Sequence, residues 1–335
     1  MKKIISRHQT IGIIGLAKNT GKTTTLNHLI KQLKDDKIGL TSIGLDGEEL
    51  DQVTKLPKPR IKLRPGMIIA TAKQCITDKK LVYRIIEETR MQTALGPVVI
   101  IEIMSKGKLV VAGPTTNKEL DKVIKKLRKH AEKVLIDGAF NRMTFVSLDQ
   151  IDAIILTTGA SVHYNMKKTI SKTKRVMDSF AIKPTTKLKR LPDSPMILQT
   201  ATHIVAFKDK RIETIQAALK MFDEPLEMMY VQGAVTETLI DYFIEASLRG
   251  FNLICDDATK LLVSEPYFDY LHKLGITLNV INHCPLVALT INPTSPTGHD
   301  YDADVFLKEM QKVTALPVFD VMRKETGHVK TKSQS

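Results

Sequence analysis

The residues whose types and spacing could do chemistry begin near the N-terminus, between Ile11 and Leu29. A short apolar run ends at Gly15, a small polar loop follows, and Gly21-Lys22-Thr23 opens a segment with apolar residues at helical spacing. In such a strand, loop and helix, backbone N–H groups and the helix dipole bind phosphate oxygens. The lysine reaches the outer phosphates and the threonine hydroxyl can ligate Mg²⁺. The segment therefore predicts a phosphate-binding loop, or P-loop.

We expect the loop and the first turn of the helix to supply the nucleotide contacts. The candidates are Gly15, Lys18, Asn19, Thr20, Gly21, Lys22, Thr23 and Thr24. Lys22 is also a catalytic candidate, because its ammonium group reaches the outer phosphates. Replacing Lys22 by Ala is therefore expected to abolish nucleotide binding.

The spacing of the two glycines departs from the common P-loop pattern. Gly15 and Gly21 enclose five residues, where the common pattern has four. The longer spacing resembles that of dethiobiotin synthetase and its relatives, P-loop proteins of the class that also contains the ParA/MinD-type ATPases. The additional lysine of the ParA/MinD group is not matched, because Ala17 stands at its position and the nearest lysine is Lys18. Lys18 is therefore not assigned the trans-acting role of that lysine.

Two carboxylates follow apolar runs and are candidates for magnesium binding. Asp46 follows a predicted strand over 37–45, and Asp137 ends the apolar run 134–136, as in a Walker B strand. Ligands of open α/β sheets lie beyond the carboxyl ends of the strands, so both side chains are expected near the phosphates if their strands neighbour the first. Asp46 joins Lys22 as a catalytic candidate that could orient the attacking water, with a simple turn as the alternative. The predicted metal ligands are Thr23, Asp46 and Asp137.

The rest of the chain alternates apolar and amphipathic segments, which predicts an α/β fold with a mostly parallel sheet. Two local predictions matter below: an amphipathic helix over 78–91 and a hairpin over 203–212 that turns at residues 208–210. Because the alternation starts afresh after Pro225, we expect a P-loop NTPase domain over 1–225 and a second, smaller α/β domain over 226–322. A polar tail over 323–335 follows.

Charge, aromatic content and hydrophobicity argue against a nucleic-acid-binding protein and against a membrane protein. The net charge is +14, but the lysines are spread over many predicted helices, aromatic residues make up only 5%, and Trp is absent. No stretch interleaves aromatic and basic residues as single-strand binders do, so nucleic acid is the less favoured partner. No apolar run approaches the roughly 18 residues that cross a bilayer, and the three cysteines are widely spaced. We expect a cytoplasmic protein that does not enter a membrane, with reduced thiols.

Three stretches together resemble the nucleotide-binding accessory subunit of the lysine 5,6-aminomutase reactivating system. They are residues 15–27, residues 44–51 with 56–61, and residues 136–142. The resemblance covers most of the N-terminal two-thirds and implies a chaperone-like ATPase that uses ATP and Mg²⁺. It further implies a MutS-like partner ATPase, with which the protein would restore an adenosylcobalamin- and pyridoxal-phosphate-dependent aminomutase whose cofactor has been damaged. A homo-oligomer is also expected as a possible state.

Two other functions stay open. A ligase or small-molecule kinase similar to dethiobiotin synthetase would use the C-terminal unit as an acceptor pocket, and a basic nucleic-acid-binding ATPase would use the charged surface. ATP is favoured over GTP, because the nearest match to the guanine-reading Asn-Lys-x-Asp element, residues 117–120, lacks the Asp.

Overall fold

The computed structural model of the protein describes residues 1–43, 60–138, 150–185 and 194–323. The chain forms two compact units. Unit 1 contains Met1–Arg142, Asp152–Thr173 and Leu286–Ser335, and unit 2 contains Met143–Ile151 and Lys174–Pro285. The boundary expected after residue 225 lies inside unit 2 in this division, and the separate domain over 226–322 stays a prediction.

The described strands are numbered in chain order: β1 (Thr10–Gly15), β2 (Ile38–Ser42), β3 (Ile61–Leu63), β4 (Ile68–Ala72), β5 (Tyr83–Thr93), β6 (Gly96–Ile103), β7 (Gly107–Leu109), β8 (Lys133–Asp137), β9 (Ala153–Gly159), β10 (Met196–Gln199), β11 (Ile204–Phe207), β12 (Met228–Val231), β13 (Val235–Thr236), β14 (Asn252–Cys255), β15 (Leu261–Leu262), β16 (Thr277–Val280), β17 (Leu286–Asn292) and β18 (Val318–Asp320). The described helices are α1 (Lys2–Ile5), α2 (Lys22–Gln32), α3 (Asn117–Leu127), α4 (Met166–Phe180), α5 (Ile212–Leu219), α6 (Glu237–Glu245), α7 (Glu265–Lys273) and α8 (Ala303–Lys312).

The sheet of unit 1 confirms the predicted α/β class with a mostly parallel sheet. Over the ranges that the structure describes, its strands lie in the order β18-β17-β9-β1-β8-β2-β4-β6-β5. All neighbours from β18 to β4 are parallel, whereas β6 runs antiparallel to both β4 and β5. The central strands are rich in Ile, Leu and Val and are almost completely buried, as expected for parallel strands covered on both faces.

Helix α2 packs on this sheet through one apolar face. Leu26 and Leu29 are fully buried in the same core cluster as Ile13 of β1 and Leu135 of β8. Burying a leucine side chain contributes about 1.5–3 kcal/mol. This packing fixes the start of α2 against the end of β1, so the intervening loop is held at both ends.

The predicted helix over 78–91 is wrong, since most of this segment is the edge strand β5. Its apolar residues fit helical spacing, but Val82 and Ile85 are 59% and 43% exposed and form no buried stripe. The segment instead pairs antiparallel with β6, from Tyr83 opposite Ile103 to Thr93 opposite Gly96. Cross-strand pairing outweighed the weak helical pattern because β-branched and aromatic residues suit a strand.

Unit 2 is a smaller α/β unit. Its described strands lie in the order β11-β10-β12-β14-β16, with β12, β14 and β16 parallel and β10 antiparallel to both of its neighbours. The turn expected at residues 208–210 lies instead between β10 and β11, where Thr200 N–H donates to His203 O at 2.9 Å. In the described parts of both units, no helix combines the length and the hydrophobicity needed to span a bilayer.

Candidate phosphate-binding site

The loop between β1 and α2 has the backbone conformation that its residues predict. Gly21 immediately precedes α2 with φ of 91°, in the left-handed region that glycine tolerates best. Asn19 also has a positive φ, 62°, which is uncommon for a non-glycine residue but least so for Asn and Asp. The loop therefore contains two left-handed residues just before the first N–H groups of α2.

Position 15 requires a glycine because neighbouring side chains pack closely against its backbone. A Cβ added to it would lie 2.4 Å from Thr20 Oγ1, 2.8 Å from Thr157 Oγ1 and 2.9 Å from Lys22 Cγ. The loop therefore folds back over the end of β1 and leaves no space for a side chain at Gly15.

Buried threonine hydroxyls anchor the loop to neighbouring strands. Thr20 Oγ1 lies 3.0 Å from Ala17 O and 2.8 Å from Thr157 Oγ1 of β9. Thr25 in the first turn of α2 forms a similar pair with Thr290 of β17, at 2.8 Å. These hydrogen bonds connect the loop and the helix start to strands far away in the sequence.

Asp137 lies at the end of the strand next to β1. In the parallel β1–β8 pair it stands opposite Ile13, and in the β2–β8 pair it stands opposite Ser42. Its backbone oxygen accepts a hydrogen bond from Ile43 N–H at 3.1 Å. The carboxylate thus belongs to the strand that directly flanks β1. Asp46, the other predicted carboxylate, lies outside the described residues.

A cleft of about 400 Å³ opens at this edge of unit 1. Its polar lining comes from the loop between β1 and α2, the start of α2, Asp137, and the end of β17 with the segment that follows it. The lining residues are Lys18, Asn19, Gly21, Lys22, Thr23, Thr24, Ile61, Leu109, Val110, Val111, Asp137, Asn292, Thr294, Ser295 and Pro296. The structure therefore brings together most of the predicted site residues, while Gly15 and Thr20 do not line the cleft and support the loop instead.

The apolar part of the lining comes from the two-stranded antiparallel sheet of β3 and β7. Asn27 of α2 holds β3 through hydrogen bonds to Lys62 N–H at 2.8 Å and Arg60 O at 3.4 Å. Arg64 donates to Leu33 O at 2.9 Å and Asp36 O at 2.6 Å, just beyond the C-terminus of α2. The small sheet is therefore fastened to the middle of the helix and to the segment just after its C-terminus, and it forms one wall of the cleft.

Sequence reasoning missed the contribution of the segment after β17. Asn292 ends this strand with 7% exposure, and its side chain donates to Asn19 O at 2.8 Å. Residues 287–292 fall in the range 226–322, for which the sequence predicts a separate second domain. The available signal was the run Thr290-Ile-Asn-Pro293, where polar residues and a proline end a buried strand, because strand ends of this kind carry ligand sites in α/β sheets.

The electrostatics of the cleft suit an anion. Lys18 and Lys22 are cationic, and the N-terminus of α2 adds the positive end of its dipole and the first-turn backbone N–H groups, which have no partner within the helix. Asp137 is the one carboxylate among the described lining residues. Thr23 and Asp137 offer the hard oxygen ligands that Mg²⁺ prefers, and Mg²⁺ usually binds one or two carboxylates together with substrate phosphates. The residues present therefore fit a magnesium–phosphate complex.

Comparison with known proteins adds little to this description. No family model matches the chain, and no curated protein matches it. Among solved structures, the MinC:MinD cell division protein complex of Aquifex aeolicus is similar with a TM-score of 0.29 and 9% sequence identity, over 91% of this chain and 86% of that chain. A likeness at this level carries no conclusion about fold or function.

Proposed function

We propose that this protein binds ATP with Mg²⁺ in the cleft of unit 1 and hydrolyses it to act on a partner protein. The observation that carries the proposal is the convergence of Lys22, Thr23 and Asp137 on one cleft at the N-terminus of α2. A cationic side chain, a hydroxyl and a carboxylate beside the first-turn N–H groups of a helix form the set that a magnesium-bound triphosphate needs.

Each group has a distinct part in the proposed binding. The N–H groups around Gly21 and the Lys22 ammonium neutralise phosphate charge, while Thr23 and Asp137 would hold Mg²⁺. Bound magnesium supplies further neutralisation of the phosphate oxygens. Asp46 is proposed as the residue that orients the attacking water, by its place after β2, the strand next to β8.

The more specific proposal is that ATP drives the reactivation of a cobalamin- and pyridoxal-phosphate-dependent aminomutase, together with a MutS-like ATPase. It rests on the resemblance of residues 15–27, residues 44–51 with 56–61, and residues 136–142. On this proposal the protein hydrolyses ATP without an added metabolite, and its association with the partners depends on bound nucleotide.

A pull-down from the native host tests this proposal. Tagged wild-type protein and the Lys22→Ala variant are compared with and without ATP–Mg²⁺. We expect wild type with nucleotide to recover a MutS-like protein or an aminomutase, and Lys22→Ala to recover neither. Equal recovery by both proteins, or the absence of both partners, would contradict the reactivation proposal without touching ATP binding.

The second candidate is a ligase or small-molecule kinase, and the apolar lining favours it. Ile61 and Leu109 form an apolar surface in the same cleft as the phosphate loop. This surface could hold the aliphatic part of an acceptor. ADP release distinguishes the candidates: a reactivating ATPase forms ADP without added metabolite, whereas a ligase or kinase requires its acceptor.

A further inference from the structure

Asn292 reaches the phosphate loop from a strand that does not adjoin it. In the sheet of unit 1, β9 lies between β17 and β1. The Asn292 side chain nevertheless donates from Nδ2 to Asn19 O at 2.8 Å, and Asn292 is only 7% exposed. The end of β17 is therefore in direct contact with the loop that follows β1.

The other end of the same amide holds the segment after β17. Asn292 Oδ1 accepts hydrogen bonds from Thr294 N–H at 3.0 Å and from Thr294 Oγ1 at 2.8 Å. A single carboxamide thus joins Asn19 and Thr294, two residues that both line the cleft. One asparagine side chain therefore spans the distance between Asn19 and Thr294 in the cleft lining.

The contact with Asn19 stabilises a conformation that is costly by itself. Asn19 has a φ of 62°, and the left-handed conformation costs an L-residue about 1–2 kcal/mol, least for Asn and Asp. A hydrogen bond to the Asn19 carbonyl fixes the following peptide, which leads through Thr20 to Gly21. Asn292 therefore acts on the backbone that presents the N–H groups at the start of α2.

The backbone around Asn292 is packed closely enough to keep the side chain in place. A Cβ added to Gly21 would lie 3.4 Å from Asn292 Cβ, and one added to Gly159 would lie 2.1 Å from Asn292 O. The two glycines let the loop and the end of β9 approach Asn292 directly.

We infer that Asn292 is a positioning residue for the triphosphate and does not select the base. The inference rests on the proposed nucleotide binding. A carboxamide oxygen has two lone pairs, and Thr294 uses both, so Oδ1 has no lone pair left for the amino group of a purine. One Nδ2 hydrogen is donated to Asn19 O, so the second Nδ2 hydrogen is the only group of this side chain left to contact a base. Its action is through the Asn19 carbonyl on the phosphate loop, so it affects any ligand that carries a polyphosphate.

Calorimetry with two probes, ATP–Mg²⁺ and inorganic tripolyphosphate with Mg²⁺, tests this role. We expect Asn292→Ala to weaken both ligands by a similar factor of about tenfold, which corresponds to about 1.4 kcal/mol. Asn292→Asp keeps the size and the acceptor for Thr294 but loses the donor to Asn19, and it should weaken both ligands at least as much. The two variants together guard against one that fails to fold.

A matched control is available in unit 2. Asn279 also donates from Nδ2 to a backbone oxygen, that of Lys183 at 2.9 Å, so Asn279→Asp should leave both affinities unchanged. Weaker ATP binding with unchanged tripolyphosphate binding would show that Asn292 reads the base and would overturn the inference. A lower Tm with both affinities unchanged would reduce Asn292 to a structural residue and also overturn it. If wild type binds neither probe, the proposed function itself fails, which is a different result.

Discussion

Gly15→Ala tests whether the shape of the phosphate loop depends on contact at the end of β1. Gly15 is not in the left-handed backbone region, so the substitution introduces no φ strain. Its added methyl group would lie 2.4 Å from Thr20 Oγ1, whereas an ordinary contact begins at 3.4 Å. The Thr20 hydroxyl must therefore retreat by about 1 Å, while the Thr157 hydroxyl and Lys22 Cγ lie too close as well.

The cost follows from these contacts. Moving Thr20 breaks its 2.8 Å hydrogen bond to Thr157, and leaving a buried hydroxyl unsatisfied costs about 1–3 kcal/mol. Overpacking a filled site adds about 1–3 kcal/mol. Because the loop can relieve part of the clash by moving, we expect a total loss of about 2–4 kcal/mol in the free energy of unfolding. The same movement displaces Lys22, so ATP affinity should fall by at least about tenfold.

Urea unfolding measures the stability change, and calorimetry with ATP–Mg²⁺ measures the affinity. Gly250→Ala is the control, because Gly250 in unit 2 has a φ of 74° and no neighbouring atom within 4 Å of the added Cβ. It should cost about 1–2 kcal/mol through backbone strain and leave ATP binding unchanged. If Gly15→Ala binds ATP as well as Gly250→Ala does, the loop is not held by this contact and the reasoning is refuted.

Two further predictions concern stability away from the cleft. Burial raises the pKa of Asp257, whose Oδ2 has no hydrogen-bond partner among the described residues, so the folded protein resists ionising it. Stability is therefore lost as the pH rises from about 4, the ordinary pKa of aspartic acid, through the raised folded value. Urea unfolding across this pH range should show the free energy of unfolding of wild type falling relative to that of Asp257→Asn as the pH rises. Parallel pH profiles of the two proteins would contradict this. Lys133 is buried and donates to Ser6 O at 2.6 Å and His8 O at 2.7 Å. Because Lys133→Met removes both hydrogen bonds, it should lower the free energy of unfolding by about 1–3 kcal/mol. An unchanged urea midpoint would show that these hydrogen bonds do not stabilise the fold.

The elements around the loop between β1 and α2 were predictable because their signals are local. The apolar run of β1, the turn at Gly21 and the apolar face of α2 each lie within about one element length, and all are found where the sequence predicts them. Asp137 was also predictable, since a buried strand that ends in a carboxylate needs only residues 133–137.

Other features could not be predicted because they depend on contacts between distant segments. Asn292 meets Asn19 only after β17 has joined the sheet beside β9, and a short polar run gives no hint of that pairing. In the same way, the edge strand β5 forms because β6 offers a partner, although its apolar spacing favours a helix. Residues 286–323 belong to unit 1 although unit 2 interrupts the chain before them, and sequence order alone cannot reveal such an insertion.

Calorimetry of ATP–Mg²⁺ binding tests the central claim most directly, with wild type compared with Lys22→Ala. Lys118→Ala is the charge-matched control, because Lys118 is an exposed lysine on α3 and does not line the cleft. The account predicts one site per chain in wild type and in Lys118→Ala, and no detectable binding to Lys22→Ala. Equal ATP binding by all three proteins, or none by wild type, would contradict it.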